Sequence, residues 1–431
     1  MANFGALSLS GQAVMRILHL VHQYPPDVIG GVELYTQTLA QHLAARRHDV
    51  SIFVPSQAVS LDHPVTAADD NVRVVRVPIG PRGPQAIFLS TFAQRAISQA
   101  WRAVLAQVKP EIVHVQHLMG LPAELVELLG RLGIPFVVTL HDYYYICANA
   151  LLLTNTRQTI CAGPRGYVNC GQCALARAGL GRVKFLAPLV APAMAARNLS
   201  LRPSLARAAR LIAPSAFVQQ YYCGHFGWPA DRVKVIAPGL DVPPRLPTRT
   251  RSSADAPLQV TFIGGLAYQK GPHVLIDAVN QLPAHSVQLA VYGDLAAFPA
   301  YATELRQRAR LANITFHGRI PHDQVWRVLA DTDVLVVPSL SYESSSLISQ
   351  EALAARVPVL ASDLGALRET ALKGGGLVFP AGDVGALRSL LQTLIDEPAQ
   401  LDRLRANLTA PRAIADHVSE IEALYREVVS S

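Results

Sequence analysis

The chain has 431 residues, half of them hydrophobic, with a mean hydropathy of +0.24 and a formal net charge of +7. That length exceeds one ordinary core and predicts two domains, while the hydrophobic content excludes a disordered chain. No apolar run reaches the roughly 18 residues that a membrane-spanning helix needs; the nearest, "FLAPLVAPAMAA" (Phe185–Ala196), is short and broken by Pro188 and Pro192.

Residues 1–14 lack the basic start and sustained apolar core of a secretory signal and read as a disordered extension ahead of Met15. The expected compartment is therefore the cytoplasm, where five cysteines read as thiols or metal ligands rather than disulfides. Strand-like runs then alternate with helix-period segments, the pattern of a parallel sheet covered on both faces. The first half carries "RILHLV", "DVSIFVP", "VRVVRVP", "EIVHVQH", "PFVVTLH", "RLIAPS" and "VKVIAPG". The second carries "QVTFIGG", "VQLAVYGD", "ITFHGR", "DVLVVPS", "PVLAS" and "GLVFP". Residues 243–257, "PPRLPTRTRSSADAP", have the composition of a linker. The predicted organisation is an N-terminal Rossmann-like domain over 15–242, a C-terminal one over 258–411, and a helix over 412–431 that packs back toward the first.

Three glycine- or serine-bearing turns follow strands. Gly30 and Gly31 precede a helix beginning near Val32; free amides at such a start bind anions, although paired glycines are often only a tight turn. Gly264 and Gly265 end a strand, and Lys270-Gly271 stands at the next helix entry, where an ammonium could neutralise a diphosphate. In "SYESSSLISQEALA" a helix is predicted to start near Ser345 or Ser346, with Glu343 before it and Glu351 about a turn and a half inside. A carboxylate in the helix could accept a ribose diol, the amides a diphosphate, and the earlier carboxylate sugar hydroxyls. The plainer reading makes Glu343 solvated and Glu351 an exposed helical residue.

The spacing Glu343-x7-Glu351, the continuation "EALAARVPVLASDLGALRE", the "GGLAYQKG" turn and "GGVE" near the start together resemble retaining glycosyltransferases of family 4 from about Met15 to the end. The resemblance implies an α/β, GT-B fold: two facing Rossmann-like domains with a cleft between them. It implies transfer of a sugar from a nucleotide-diphosphate sugar, UDP- or GDP-linked, to a saccharide or lipid-linked acceptor in cell-surface polysaccharide or glycolipid synthesis. No metal or other cofactor serves catalysis in that family. By the same resemblance His141, Lys270 and Glu343 are the catalytic candidates. The donor-binding candidates are Gly30, Gly31, Gly264, Gly265, Lys270, Arg319, Glu343, Ser344, Ser345, Ser346, Leu347 and Glu351. The chain departs from the family at Gly265, where Arg is usual, so that either Lys270 acts alone or another residue, such as Arg319 in "FHGRI", supplies the charge. Arg356 replaces a usual glycine, and "GALRE" stands for "GGxPE" with Glu369 kept.

Two features lie outside this pattern. The insert over 143–175 carries Cys147, Cys161, Cys170 and Cys173, which end in Cys-x2-Cys and could close on a structural zinc, remain free thiols or hold an iron-sulfur cluster. Between Tyr143 and Ala230 there are nine Arg or Lys residues and no Asp or Glu, which predicts attraction to an anionic membrane surface, at the inner face of the cell membrane. No nucleic-acid-binding module is visible. A different-class reading is a catalytically weak or inactive GT-B protein that binds nucleotide-sugar or anionic lipid; a nucleotide-sugar epimerase is a third. Asp331 and Asp333 offer a metal-binding Asp-x-Asp, against which stands their place at a helix-to-strand junction.

Overall fold

The computed structural model describes residues 13–57, 64–248 and 256–431. Residues 1–12 of the expected extension and 249–255 of the expected linker lie outside the described residues. Contacts divide the chain into two compact units, Met1–Thr139 with Pro203–Arg210 and Ile421–Ser431, and Leu140–Arg202 with Leu211–Glu420.

Strands β1 (Arg16–Leu20), β2 (Asp49–Ser56), β3 (Val65–Asp69), β4 (Val72–Pro78), β5 (Ile112–Val115) and β6 (Phe136–Thr139) belong to the first unit, in the order β3-β4-β2-β1-β5-β6. All neighbours are parallel except β3 and β4. The edge strand β3 was not expected: "VTAAD" is mostly exposed and has no apolar run. Its hairpin turn, Asp70-Asn71, has φ of +44° and +67°, the positive pair that a two-residue hairpin needs and that Asp and Asn tolerate. From the C-terminal helix Ile414–Ser430, buried Tyr425 reaches His114 Nδ1 at 2.5 Å, and Glu422 pairs with Arg46 at 3.0 Å.

The second unit holds the parallel pair β7 (Arg210–Ala213, from Leu211 on) and β8 (Val233–Val235). It also holds a six-stranded sheet of β9 (Leu258–Ile263), β10 (Val287–Tyr292), β11 (Ile314–Gly318), β12 (Val334–Val337), β13 (Val359–Ser362) and β14 (Leu377–Phe379). Its order is β11-β10-β9-β12-β13-β14, parallel throughout. The central strands β12 and β13 are buried at every residue, as a sheet covered on both faces requires. Toward the β11 edge the pattern changes. Val287, Leu289 and Val291 are buried while Gln288, Thr315 and His317 are exposed, and a cavity of about 460 Å³ lies on that polar face beside the six-residue helix Val325–Ala330. So short a helix leaves this end of the sheet covered on one face, against the uniform coverage expected from sequence.

Three polar residues are structural. Asp333 is fully buried, its Oδ2 accepting the Gln259 amide at 2.9 Å and its Oδ1 pairing with Arg405 at 2.9 Å, so it anchors the entry of β12 to β9. Glu369 caps the helix Ala216–Phe226, accepting the amides of Ala216 at 3.2 Å and Phe217 at 2.5 Å. Arg356 has φ of +61°, the left-handed region in which glycine is easiest. Its guanidinium donates to Leu408 O at 2.8 Å and Arg405 O at 2.7 Å, contacts that offset the backbone cost. Among the described residues no helix is long and apolar enough to cross a membrane; "FLAPLVAPAMAA" enters the helix Ala187–Ala206.

Candidate active site at the carboxyl ends of the second sheet

Because β9 to β14 are parallel, their following loops gather at one edge, where open α/β sheets place ligand groups. The turn after β9 is fixed by close backbone approaches. Gly264 N donates to Tyr292 O at 3.0 Å, and a Cβ at Gly293 would stand 2.2 Å from Gly264 O. Beyond the turn Tyr268–Lys270, Gly271 has φ of +66°, and a Cβ there would lie 2.0 Å from Pro338 O. Leu340 N donates to Gln269 O at 2.7 Å, so the loops after β9 and β12 are joined at the backbone.

That junction delivers Lys270 Nζ to Glu343 Oε1 at 2.6 Å, the same oxygen that accepts from Ser339 Oγ at 2.6 Å. The Glu343 side chain is 14% exposed and that of Lys270 39%. An ammonium carries three protons, and one suffices for Glu343, which leaves two for an anion arriving from solvent. Gly265 has open space around the position of a Cβ, so the usual arginine is not excluded by crowding. Arg319 is exposed and directly follows β11, on the same edge of the sheet.

The serine stretch behaves as its composition predicts. Ser346 caps the helix Leu347–Ala354, its Oγ accepting Ser349 N at 3.3 Å, and Ser344 and Ser345 lie half-buried ahead of it. Helix geometry leaves the Leu347 and Ile348 amides without an intrahelical acceptor. Glu351 is buried, not an exposed helical residue, and its Oε1 meets His322 Nε2 at 2.6 Å. The hydrogen bond to Glu351 holds the His322 pKa above its ordinary value, against the opposing effect of burial. His322 was not singled out from sequence; a histidine in a loop far from Glu351 in the chain carries no local signal.

His141 follows β6 and stands two residues before Tyr143, a member of a group of rings in the second unit. Tyr143 lies 6.0 Å from Tyr342, the neighbour of Glu343, and Phe217 and Tyr221 lie 4.9 Å and 5.8 Å from Tyr342. In the first unit, Gly30 is the extended N-cap of the helix Gly31–Ala45. The carboxylate of buried Glu33 lies over Gly30, 2.6 Å from where a Cβ would stand, and faces His22 at 3.7 Å. His22 in turn lies against His117, ring centroids 4.2 Å apart. This histidine-carboxylate group at the ends of β1 and β5 was also missed; only its place after two parallel strands marks it.

Cys147, Cys161, Cys170 and Cys173 are free, partly exposed thiols, and Cys223 is buried. Among the described residues no group of three or more His, Cys, Asp or Glu side chains is already arranged to hold a metal ion.

The model of Glycosyltransferase Family 4 matches residues 29–242, and that of Glycosyl transferases group 1 matches residues 249–410. A glycogen synthase of Mycobacterium tuberculosis is 26% identical over 93% of this chain and 91% of its own. A D-inositol 3-phosphate glycosyltransferase of Rhodococcus opacus is 28% identical over 89% and 81%. Among solved structures, sucrose-phosphate synthase from Thermosynechococcus elongatus superposes with a TM-score of 0.72 at 21% identity, covering 96% of this chain and 99% of that one. Anabaena HepE in complex with UDP and glucose gives 0.65 at 17%, covering 96% and 99%.

The His322–Glu351 pair sets a pH dependence. With the folded pKa of His322 raised, its contribution is fully present below the ordinary value of 6.5 and is lost as pH rises through the folded pKa. Since its side chain is 48% exposed, the contribution is under about 1 kcal/mol. Urea unfolding at about pH 5.5 and about pH 9 tests it: the stability gap between wild type and His322→Gln shrinks at the higher pH, and a gap that widens contradicts the pairing.

Proposed function

Because the chain belongs to the group 1 glycosyltransferases of family 4, with the GT-B fold, we propose that it is a retaining enzyme that moves a sugar from UDP- or GDP-sugar to a saccharide or lipid-linked acceptor in cell-surface polysaccharide or glycolipid synthesis. The observation that carries this reading is the Lys270–Glu343 pair beside the serine-capped helix that bears Glu351. HepE, which shares the fold, is described with UDP and glucose, and the curated relatives bear glycosyl-transfer names.

In this reading the ribose diol takes Glu351 in exchange for His322. The diphosphate rests on the Leu347 and Ile348 amides and on Lys270, and Glu343 accepts hydrogen bonds from the sugar hydroxyls. The leaving diphosphate gains negative charge as the sugar–oxygen bond breaks, and fixed donors aimed at it each lower the barrier by about 2.7 to 4 kcal/mol. The acceptor attacks from the face the diphosphate leaves, and a departing phosphate oxygen takes its proton. Lys270 and the amides supply the charge stabilisation, so the reading requires no metal. His141 serves as the polar contact near the transferred sugar.

The acceptor side rests on a surface of the second unit. Phe185 and Leu189 are 72% and 77% exposed, with Leu180 and Leu186 also exposed, between exposed Arg177, Arg182 and Lys184. Exposed apolar side chains close in sequence to exposed basic ones suit an anionic membrane and support a reading in which the enzyme works at the inner face of the cell membrane.

A panel of UDP- and GDP-sugars, with nucleotide release followed, tests the transfer reading. One donor is expected to release nucleotide, and Glu351→Ala is expected to weaken its binding about tenfold to a hundredfold through loss of charge-assisted hydrogen bonds. No release with any donor, or release unchanged in Glu351→Ala, contradicts it.

Flotation with vesicles tests the surface. Wild type is expected to bind anionic vesicles in a salt-sensitive manner and the Phe185→Asp, Leu189→Asp double variant to remain unbound. Equal binding of both proteins, or binding indifferent to salt and lipid charge, contradicts the membrane placement.

A further inference from the structure

The loop that follows His141 carries four cysteines that sugar transfer does not use, and its backbone is costly. Ala150, Leu152, Gln158 and Tyr167 have φ of +64°, +49°, +55° and +61°. Non-glycine residues hold such conformations only when their surroundings impose them. Gly171 is needed as well, since a Cβ there would stand 2.5 Å from Ala187 O. The hydrogen bonds that impose this shape converge on sulfur.

Cys170 and Cys173 lie three residues apart on the helix Val168–Arg177 and so share a face. Cys161 is drawn to that helix by Asn169, whose Nδ2 donates to Cys161 Sγ at 3.5 Å, and Gly163 N donates to the same sulfur at 3.4 Å. Cys173 Sγ accepts Asn155 N at 3.4 Å. Asn155 Oδ1 accepts Asn149 Nδ2 at 3.4 Å, and Asn149 Oδ1 accepts the thiol of Cys147 at 2.6 Å. Hydrogen bonds through Asn149, Asn155 and Asn169 thus link Cys147 and Cys161 to the helix that carries Cys170 and Cys173. N–H groups aimed at sulfur favour the thiolate over the thiol.

We propose that Cys147, Cys161, Cys170 and Cys173 form a four-thiolate Zn²⁺ site that fixes this loop and, through it, the support of the Glu343 loop. The four sulfurs close up on the ion. Each thiol releases its proton to solvent, and no electron is transferred. The S–H contacts of Cys147 with Asn149 Oδ1 and of Cys170 with Asn169 Oδ1 give way to metal bonds, while the N–H groups of Gly163 and Asn155 keep their sulfur acceptors. The link to the active site is short. Tyr221 OH donates to Cys161 O at 3.4 Å, and the Tyr221 ring lies 5.8 Å from Tyr342.

The full chain, produced without a histidine tag in zinc-supplemented medium, is analysed for metal by mass spectrometry and, after exchange, for its Co²⁺ spectrum. The expected result is about one zinc per chain and the sulfur-to-cobalt charge-transfer bands of a tetrahedral four-sulfur site. Cys173→Ser is expected to lose both, and Cys223→Ser to keep both. Should Cys173→Ser fail to fold, the wild-type cobalt spectrum alone decides. Metal-free protein with four reactive thiols in this loop, a mass lower by two hydrogens that marks a disulfide, or bound iron in place of zinc overturns the proposal.

Discussion

Gly271 lies at φ of +66° against the carbonyl of Pro338, closer than any side chain permits, and the candidate site depends on that approach. It lets the loop after β9 rest on the loop after β12, where Leu340 N closes the junction on Gln269 O. A lysine and a glutamate 73 positions apart are thereby brought to 2.6 Å. Neither strand could deliver the pair alone. The parallel order β10-β9-β12 makes these two loops neighbours, and the glycine makes them touch.

What the junction positions is a set of charges with different freedoms. Glu343 is nearly enclosed and held by Ser339 as well as Lys270, so it is the fixed member, whereas the ammonium sits on a flexible stem with protons to spare. Glu351 shows the same division on the other side of the serine turn: a buried carboxylate held by a half-exposed histidine that can yield. Both carboxylates keep a protein partner that a ligand can replace at little cost, which avoids leaving a buried charge unpaired. The aromatic group around Tyr342 supports this edge from the side of the cysteine loop.

Much of this was legible from sequence where the signal is local. Thirteen of the fourteen strands among the described residues stand where apolar runs placed them, and Ser346 caps the helix as serine before an apolar run predicts. The resemblance to family 4 and its fold were legible from ordered motifs spread over both halves. Pairings across the chain were not. His322 with Glu351, Ser339 with Glu343, Glu369 with the start of the helix Ala216–Phe226, and the His22–His117–Glu33 group all depend on which loops the strand order makes adjacent. Strand β3 escaped because an exposed edge strand needs no apolar run. The polar face at β10 and β11 escaped because whether a neighbouring helix covers a strand is not written in the strand.

The account turns on Lys270 as the group that meets a diphosphate. Calorimetric binding of UDP and GDP, set against uridine and guanosine, to wild type and to Lys270→Ala measures this directly. The expected result is a wild-type preference of about tenfold or more for one diphosphate over its nucleoside, with most of that preference lost in Lys270→Ala and nucleoside binding unchanged. A Lys270→Ala protein that keeps the full preference would contradict the assignment of this edge of the sheet as the donor site.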